Sequence, residues 1–508
     1  MTITMMVTVF YILVSVVLTL SLLYFSIFYF FGNRKLYNAT SLIPGPNTFP
    51  LIGCAFSLLG NSQDLMKKMV KIFDSYPSPM RFVLGYRVWI VAKDPEHIKI
   101  ILHSSKILEK DDVYKFAKPW VGNGLMTANH KLWREHRKLI QPTFHNKILK
   151  TFIPIFHEKS LLLIKTISDR VDDPEFELHP YFSLEIFFSL YENTVGLSIE
   201  TKRKEIVKYL ETNKRIIQTF VERFKCAWLH SNKLFNLTQL AKDFYKNIKE
   251  IQDFTDNVIQ ERKRVLKVKN EESSPERPKS FLDLMLELAN SENKFTDHDI
   301  REQVDTIVIA GHDTSARTLN FIFLMLASHP TIQDKAYEEI FSIYGSSDPE
   351  KDPIKYEDLN RLEYLERIIK ETMRLFPAGP VIARKALENF TLDDYKIPKD
   401  CGVIIPIFNI HRDEKIWPES LKFDPDRFLP EEMIKRHACS FIPFSAGMRD
   451  CIGRTYALMS LKVFTANFLR KYIVIKDKIS KIEDINLTVD PLLTTTEPIT
   501  LRIEKRVK

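Results

Sequence analysis

Phe444-Ser445-Ala446-Gly447-Met448-Arg449-Asp450-Cys451-Ile452-Gly453 sets one cysteine between two glycines, with an arginine two residues ahead of it. Gly447 permits a sharp turn where a side chain would clash, and Gly453 lets the backbone approach a flat group closely. A helix starting just after Cys451 would direct free N–H groups at the sulfur, lower the thiol pKa and hold it as an anion. Arg449 adds positive charge suited to a cofactor carboxylate. These features are what a buried thiolate ligand to a metal requires; the alternative is one more buried apolar cysteine.

Three other stretches carry chemistry-bearing residues. Lys131-Leu132-Trp133-Arg134-Glu135-His136-Arg137 puts Trp133 and Arg137 four apart, on one helix face, where both can donate to a carboxylate or merely form a cation–π pair. Thr296 reads as the N-cap of a long helix with Asp297 and Asp299 in its first turn. Inside that helix, Ala310-Gly311-His312-Asp313-Thr314-Ser315 places a glycine, an acid and two hydroxyls in an apolar interior. Such a local conflict marks a functional site, with a helix opened at Gly311 as its expected form, or else simple packing. His312 by itself is expected to be a packed or solvent-side histidine. A further helix, read from Tyr356 to Phe376, carries Glu371 and Arg374, an ordinary spaced pair, and Phe423-Asp424-Pro425-Asp426-Arg427-Phe428 supplies a second arginine.

The pattern Phe-x-x-Gly-x-Arg-x-Cys-x-Gly, complete at Phe444, Gly447, Arg449, Cys451 and Gly453, resembles the haem-binding loop of the cytochrome P450 superfamily, whose iron takes a cysteine thiolate ligand. The W-x-x-x-R, A-G-x-D-T, E-x-x-R and cysteine-loop elements follow in suitable order, so the resemblance spans nearly the whole chain. It implies a mainly α fold with a small β region and a haem-thiolate monooxygenase that inserts one oxygen atom of O2 into an apolar substrate. Cys451 would be the axial ligand of a non-covalent haem b. Trp133, Arg137, Arg384 and Arg449 would hold its propionates, and Asp313 and Thr314 would deliver protons. Glu371, Arg374 and Arg427 would form a buried scaffold, and Ala310, Pro380, Val381 and Ile382 would line the substrate pocket. Electrons would come from an NADPH–cytochrome P450 reductase, with cytochrome b5 as a further donor and Lys138 and Lys147 on the docking face. A reductase-independent lipid-peroxide isomerase or dehydratase and a non-enzymatic haem-binding membrane protein are the alternatives.

Pro119-Trp120-x-Gly-x-Gly124-Leu125, Gly311-His312-Asp313-Thr314 and His411-Arg412-Asp413 are similar to the animal branch of fatty-acid terminal hydroxylases and many insect members. Many members of that branch carry a glutamate, able to form an ester with a haem methyl, where this chain has Ala310.

The remainder of the chain fits this frame. Residues Met5 to Phe31 carry no charge and exceed the roughly 20 residues a bilayer requires, with Arg34 and Lys35 following. The expected organisation is an anchor over 1–33, a proline-rich hinge over 34–55 and a catalytic domain over 56–508. The anchor would lie in the endoplasmic reticulum with the body in the cytosol, in contact with membrane lipid. Five scattered cysteines show no zinc spacing and fit a reduced compartment. Only 14 glycines are present, with neither G-x-G-x-x-G nor G-x-x-x-x-G-K-[ST], so no nucleotide site is expected. A net charge of +8 is modest for this length and points to no nucleic acid. Expected too are a hairpin over 81–92 turning at Gly85 and amphipathic helices over 155–264 with Phe220, Phe224, Trp228 and Phe235 in the core. A charged loop over 267–279 and a small C-terminal sheet complete the outline.

Overall fold

Alternating residues over 81–92 form the antiparallel hairpin of β1 (Met80–Leu84) and β2 (Arg87–Val91), with Gly85 at φ +59° where the chain turns. This computed structural model describes all residues except 1–2, 29–33, 50–51, 59–61, 86, 198–201, 270–278, 293, 480 and 507–508. The hairpin extends into a five-stranded sheet in the order β1-β2-β5-β4-β3, where β3 is Glu109–Lys110, β4 is Ile382–Lys385 and β5 is Gly402–Ile405. Strand β5 runs parallel to β2 and antiparallel to β4. All four β5 residues are buried, as a strand covered on both faces requires.

This sheet belongs to a compact unit of residues 1–111 and 381–409, and residues 112–380 and 410–508 form a second unit. Part of the 34–55 segment is bound to this sheet. The Pro44 carbonyl accepts from Arg81 N at 2.7 Å, Cys54 N donates to the Val83 carbonyl at 2.8 Å, and Ile43 and Cys54 are buried. Proline-fixed extended backbone lies along the sheet edge and offers its carbonyls to it. Pro50 is outside the described residues. The first unit also carries α1 (Ile3–Phe28), whose Met5–Tyr24 stretch is long and apolar enough to cross a membrane and is wholly unburied.

The second unit is helical. Its main helices are α2 (His130–Ile140), α3 (Ile153–Thr166), α4 (His179–Val195), α5 (Arg203–Lys225), α6 (Gln239–Lys269), α7 (Asp297–Ser328), α8 (Pro330–Tyr344), α9 (Glu363–Leu375) and α10 (Arg454–Lys471). Helix α7 starts at a complete capping box between Thr296 and Asp299, as expected. It contacts α4, α6, α9 and α10, which accounts for the burial of most of its residues, Arg301, Glu302, Gln303 and Asp305 included.

Several expectations change in detail. The helix read from Tyr356 begins as a 3₁₀ turn, Glu357–Asn360, before α9. The C-terminal strands build two sheets: Tyr472–Ile475 and Phe176–Glu177 flank Thr500–Lys505, while Leu487–Asp490 pairs with Leu492–Thr495. Of the aromatic residues assigned to the core, Phe235 is there, Phe220 is half-buried, and Phe224 and Trp228 are exposed, because α5 ends at Lys225 and the chain continues through a short turn. Most of the 267–279 loop lies outside the described residues.

Candidate functional site

The loop around Cys451 is built from backbone hydrogen bonds. Ser445 N donates to the Ile442 carbonyl at 2.9 Å, Cys451 N to the Phe444 carbonyl at 2.9 Å, and Asp450 N to the Gly447 carbonyl at 3.2 Å. Gly447 sits at φ +72°, the left-handed region where glycine is free of strain. A Cβ at Gly453 would stand 3.9 Å from Cys451 Sγ, so the glycine leaves the backbone beside the sulfur bare.

Helix α10 starts at Arg454, three residues beyond Cys451 rather than directly after it. The expectation of a lowered thiol pKa is overturned in the protein alone. Burial pushes the Cys451 thiol up and outweighs the Gly453 backbone, Arg137 and Arg454, which pull it down. Yet Cys451 is an exposed residue by surface area. A metal bound there would deprotonate it outright.

Three cations surround the loop. Arg449 lies over the Trp133 ring at 4.6 Å and donates from Nη2 to the Ala128 carbonyl at 2.9 Å. Arg137 binds Asp450, with Nη2 2.7 Å from Oδ1 and Nη1 3.1 Å from the backbone carbonyl. Arg454 lies over Phe444 at 5.8 Å. Both residues of the W-x-x-x-R pair contact the cysteine loop, since Trp133 takes Arg449 and Arg137 takes Asp450. Arg384 is in the first unit, buried on β4, with Nη1 3.2 Å from the Ala383 carbonyl.

Helix α7 runs unbroken through Gly311, so the expected opening is absent. The glycine has another reason: a Cβ there would come within 2.9 Å of Leu190 Cδ2 on α4. Ala310 is exposed in mid-helix, although α7 has neighbours on all sides. Thr314, one turn on, donates its hydroxyl to the Ala310 carbonyl at 2.7 Å. Asp313 points elsewhere, pairing with Arg317 Nε at 3.0 Å. Burial pushes its carboxyl up, but Arg317, His312 and His179 more than offset this and leave it below the usual range. His312 is packed as expected, with Nε2 2.9 Å from both Ser183 Oγ and the Ser183 carbonyl.

Glu371 and Arg374 are completely buried and pair through bonds of 2.6 and 2.8 Å. Arg427 Nε stands 3.6 Å from Glu371 Oε1, and Asp424 N donates to the same oxygen at 3.0 Å. The three residues read as a scaffold come together. Of the pocket residues, Ala310 and Pro380 belong to the second unit, and Val381 and Ile382 to the first.

Sequence reasoning missed Gln303. Its Oε1 accepts from Leu125 N at 3.1 Å and its Nε2 meets His136 Nδ1 at 2.9 Å, tying α2 and the preceding loop to α7. Its only signal was a buried amide on an apolar helix.

These residues fit a haem. No group of three or more His, Cys, Asp or Glu able to hold a metal occurs among the described residues. Iron at Cys451 must therefore bring most of its ligands with it, as a macrocycle does, and Arg137, Arg449 and Arg454 suit its carboxylates. The cytochrome P450 family model matches residues 43–503. This chain belongs to the cytochrome P450 family.

It is 33% identical to cytochrome P450 4c21 of Blattella germanica, over 97% of this chain and 99% of that one. To cytochrome P450 4V2 of Mus musculus it is 31% identical, over 93% and 91%. The fold matches a cytochrome P450DA heme domain with a TM-score of 0.77 at 22% identity, covering 92% of this chain and 98% of that one. As a P450, the protein is a haem-thiolate monooxygenase that takes electrons from a redox partner. The isomerase and non-enzymatic alternatives give way to it.

Proposed function

We propose that Cys451 is the axial haem ligand of a membrane-anchored P450 that hydroxylates an apolar substrate in the cavity bounded by Ala310 and Thr314. The observation that carries this is the exposure of Ala310 in the middle of a helix whose neighbouring turns are largely buried. When bound, the haem supplies O2 activation at its iron. The chain's own residues do the rest. Ala310 offers the substrate a small apolar wall. The Thr314 hydroxyl, resting on the Ala310 carbonyl, holds a proton at the cavity edge. Arg137, Arg449 and Trp133 bind propionates and fix the orientation of the cofactor. Asp313 acts one step back, exchanging protons through the Arg317 and His179 side of α7.

Helix α1 supplies the anchor, in the endoplasmic reticulum with the body in the cytosol, where NADPH–cytochrome P450 reductase and cytochrome b5 donate electrons. Fatty acids, terpenoids and apolar xenobiotics are the substrate classes; the alanine at position 310 weighs against a strict chain-terminus hydroxylase. Reconstitution with reductase and NADPH, with products read by mass spectrometry, tests this reading. Substrate-dependent NADPH consumption with a hydroxylated product is expected, and Cys451→Ser should remove both it and the thiolate spectrum. Asn38-Ala39-Thr40, Asn236-Leu237-Thr238, Asn389-Phe390-Thr391 and Asn486-Leu487-Thr488 match the N-glycosylation acceptor pattern. A cytosolic body leaves all four bare; a glycan at Asn236 would reverse the orientation.

A further inference from the structure

The triplet His411-Arg412-Asp413 has no part in the chemistry above, yet it lies between the Glu371–Arg374 pair and the cysteine loop. His411 is completely buried. Its Nε2 is 2.9 Å from Ile442 N, whose only hydrogen makes it the donor, so Nε2 must carry a lone pair. The ring proton is then on Nδ1, which is buried beside the backbone of Met373 and Arg374 at the end of α9 and makes no hydrogen bond of its own. Burial and the neighbouring Arg374 and Arg412 charges push the ring's pKa down to about 3, which keeps it neutral and able to accept.

The backbone of the same residue is held too. Arg374 Nη1 donates to the His411 carbonyl at 2.8 Å, and Arg412 donates from Nε and Nη2 to the Leu375 carbonyl at 3.0 and 2.5 Å. The imidazole lies against Phe441 with centroids 5.2 Å apart. On the other side, Ile442 is the residue whose carbonyl accepts from Ser445 N, closing the turn that leads to Phe444 and, through its carbonyl, to Cys451 N. Ile442 is therefore gripped at its amide by His411 and at its carbonyl by the loop.

We propose that His411 is a positioning residue for the thiolate: it accepts the Ile442 amide and so transmits the rigidity of the Glu371–Arg374 pair to the entry of the Cys451 loop. The proposal rests on Cys451 being the haem ligand. A buried amide that loses its only acceptor opens more readily, and the loop it begins loses its fixed register.

The test compares wild-type holoenzyme with His411→Gln and His411→Leu. Glutamine offers an oxygen to the Ile442 amide and an N–H₂ to the α9 carbonyls, while leucine offers neither. Deuterium exchange of peptides spanning 441–446 should accelerate about tenfold or more in His411→Leu and stay near wild type in His411→Gln. The thiolate-type carbon monoxide band of the ferrous protein should decay at least several-fold faster in His411→Leu only. Unchanged exchange in His411→Leu overturns the proposal. So does equal loss in both variants, since ring volume rather than the acceptor would then matter. Absence of the thiolate band in wild type would instead remove the Cys451 assignment.

Discussion

Two buried regions of this P450 treat polar groups in opposite ways. Around Glu371 and Arg374, the carboxylate, the guanidinium, the His411 carbonyl and the Asp424 amide all bond to one another with no exposed surface on the pair. Around Ala310 and Thr314, in the middle of an equally central helix, Ala310 is exposed and the Thr314 hydroxyl donates to a carbonyl of its own helix. The first arrangement allows one geometry only. The second keeps a hydroxyl ready for something that comes and goes. Rigidity and openness lie in the same unit.

The contrast breaks most severely at Arg374. Arg374→Ala leaves Glu371 buried without its bidentate partner, at a cost of about 3–5 kcal/mol, and haem-loaded protein should fall to background when absorbance per mole of chain is measured.

Acid acts next, through buried histidines in both regions and elsewhere in the helical unit. His411 is pushed down to about 3 and His179 to about 4, both by burial, and His157, His136, His329 and His312 are lowered for the same reason. Folded-state pKa values below the unfolded value of about 6.5 mean that the unfolded chain binds more protons. Their contribution is complete above that pH and is lost as pH falls from about 6.5 toward the folded values. Urea midpoints measured at stepped pH should drop accordingly.

Openness is sharpened at Thr314. Thr314→Ala should leave stability almost unchanged while product formed per NADPH falls, up to about 10²-fold if the hydroxyl is the main proton donor. The smallest and most direct comparison uses two alanines on one helix. Ala316→Leu, at a fully buried site, should cost about 1–3 kcal/mol by overpacking, whereas Ala310→Leu should hardly move the melting temperature and should raise KM.

Much of this contrast was legible in the chain. The cysteine loop, the capping box of α7, the 81–92 hairpin and the three scaffold residues could be read because each depends on local spacing or on a motif with few alternatives. Other contacts could not. That Arg449 takes Trp133 and Arg137 takes Asp450 depends on how α2 lies against the loop, which helical spacing does not encode. The thiol pKa turned on burial, a property of the whole fold, and a terminus dipole reasoned from neighbours alone had the wrong sign. His411 was visible as part of a phrase, but its partner is 31 residues away in sequence. Gly311 looked like a helix opening and is a close approach, since only the packed neighbour Leu190 gives it that meaning.

That approach also restricts the routes by which the sequence can change. With a would-be Cβ at Gly311 only 2.9 Å from Leu190 Cδ2, any larger residue at 311 meets a branched side chain already in place. Trimming Leu190 leaves a void, and that void admits an alanine at 311. The two positions are therefore coupled: an alanine at 311 together with a shorter residue at 190 should cost less than the sum of each change alone.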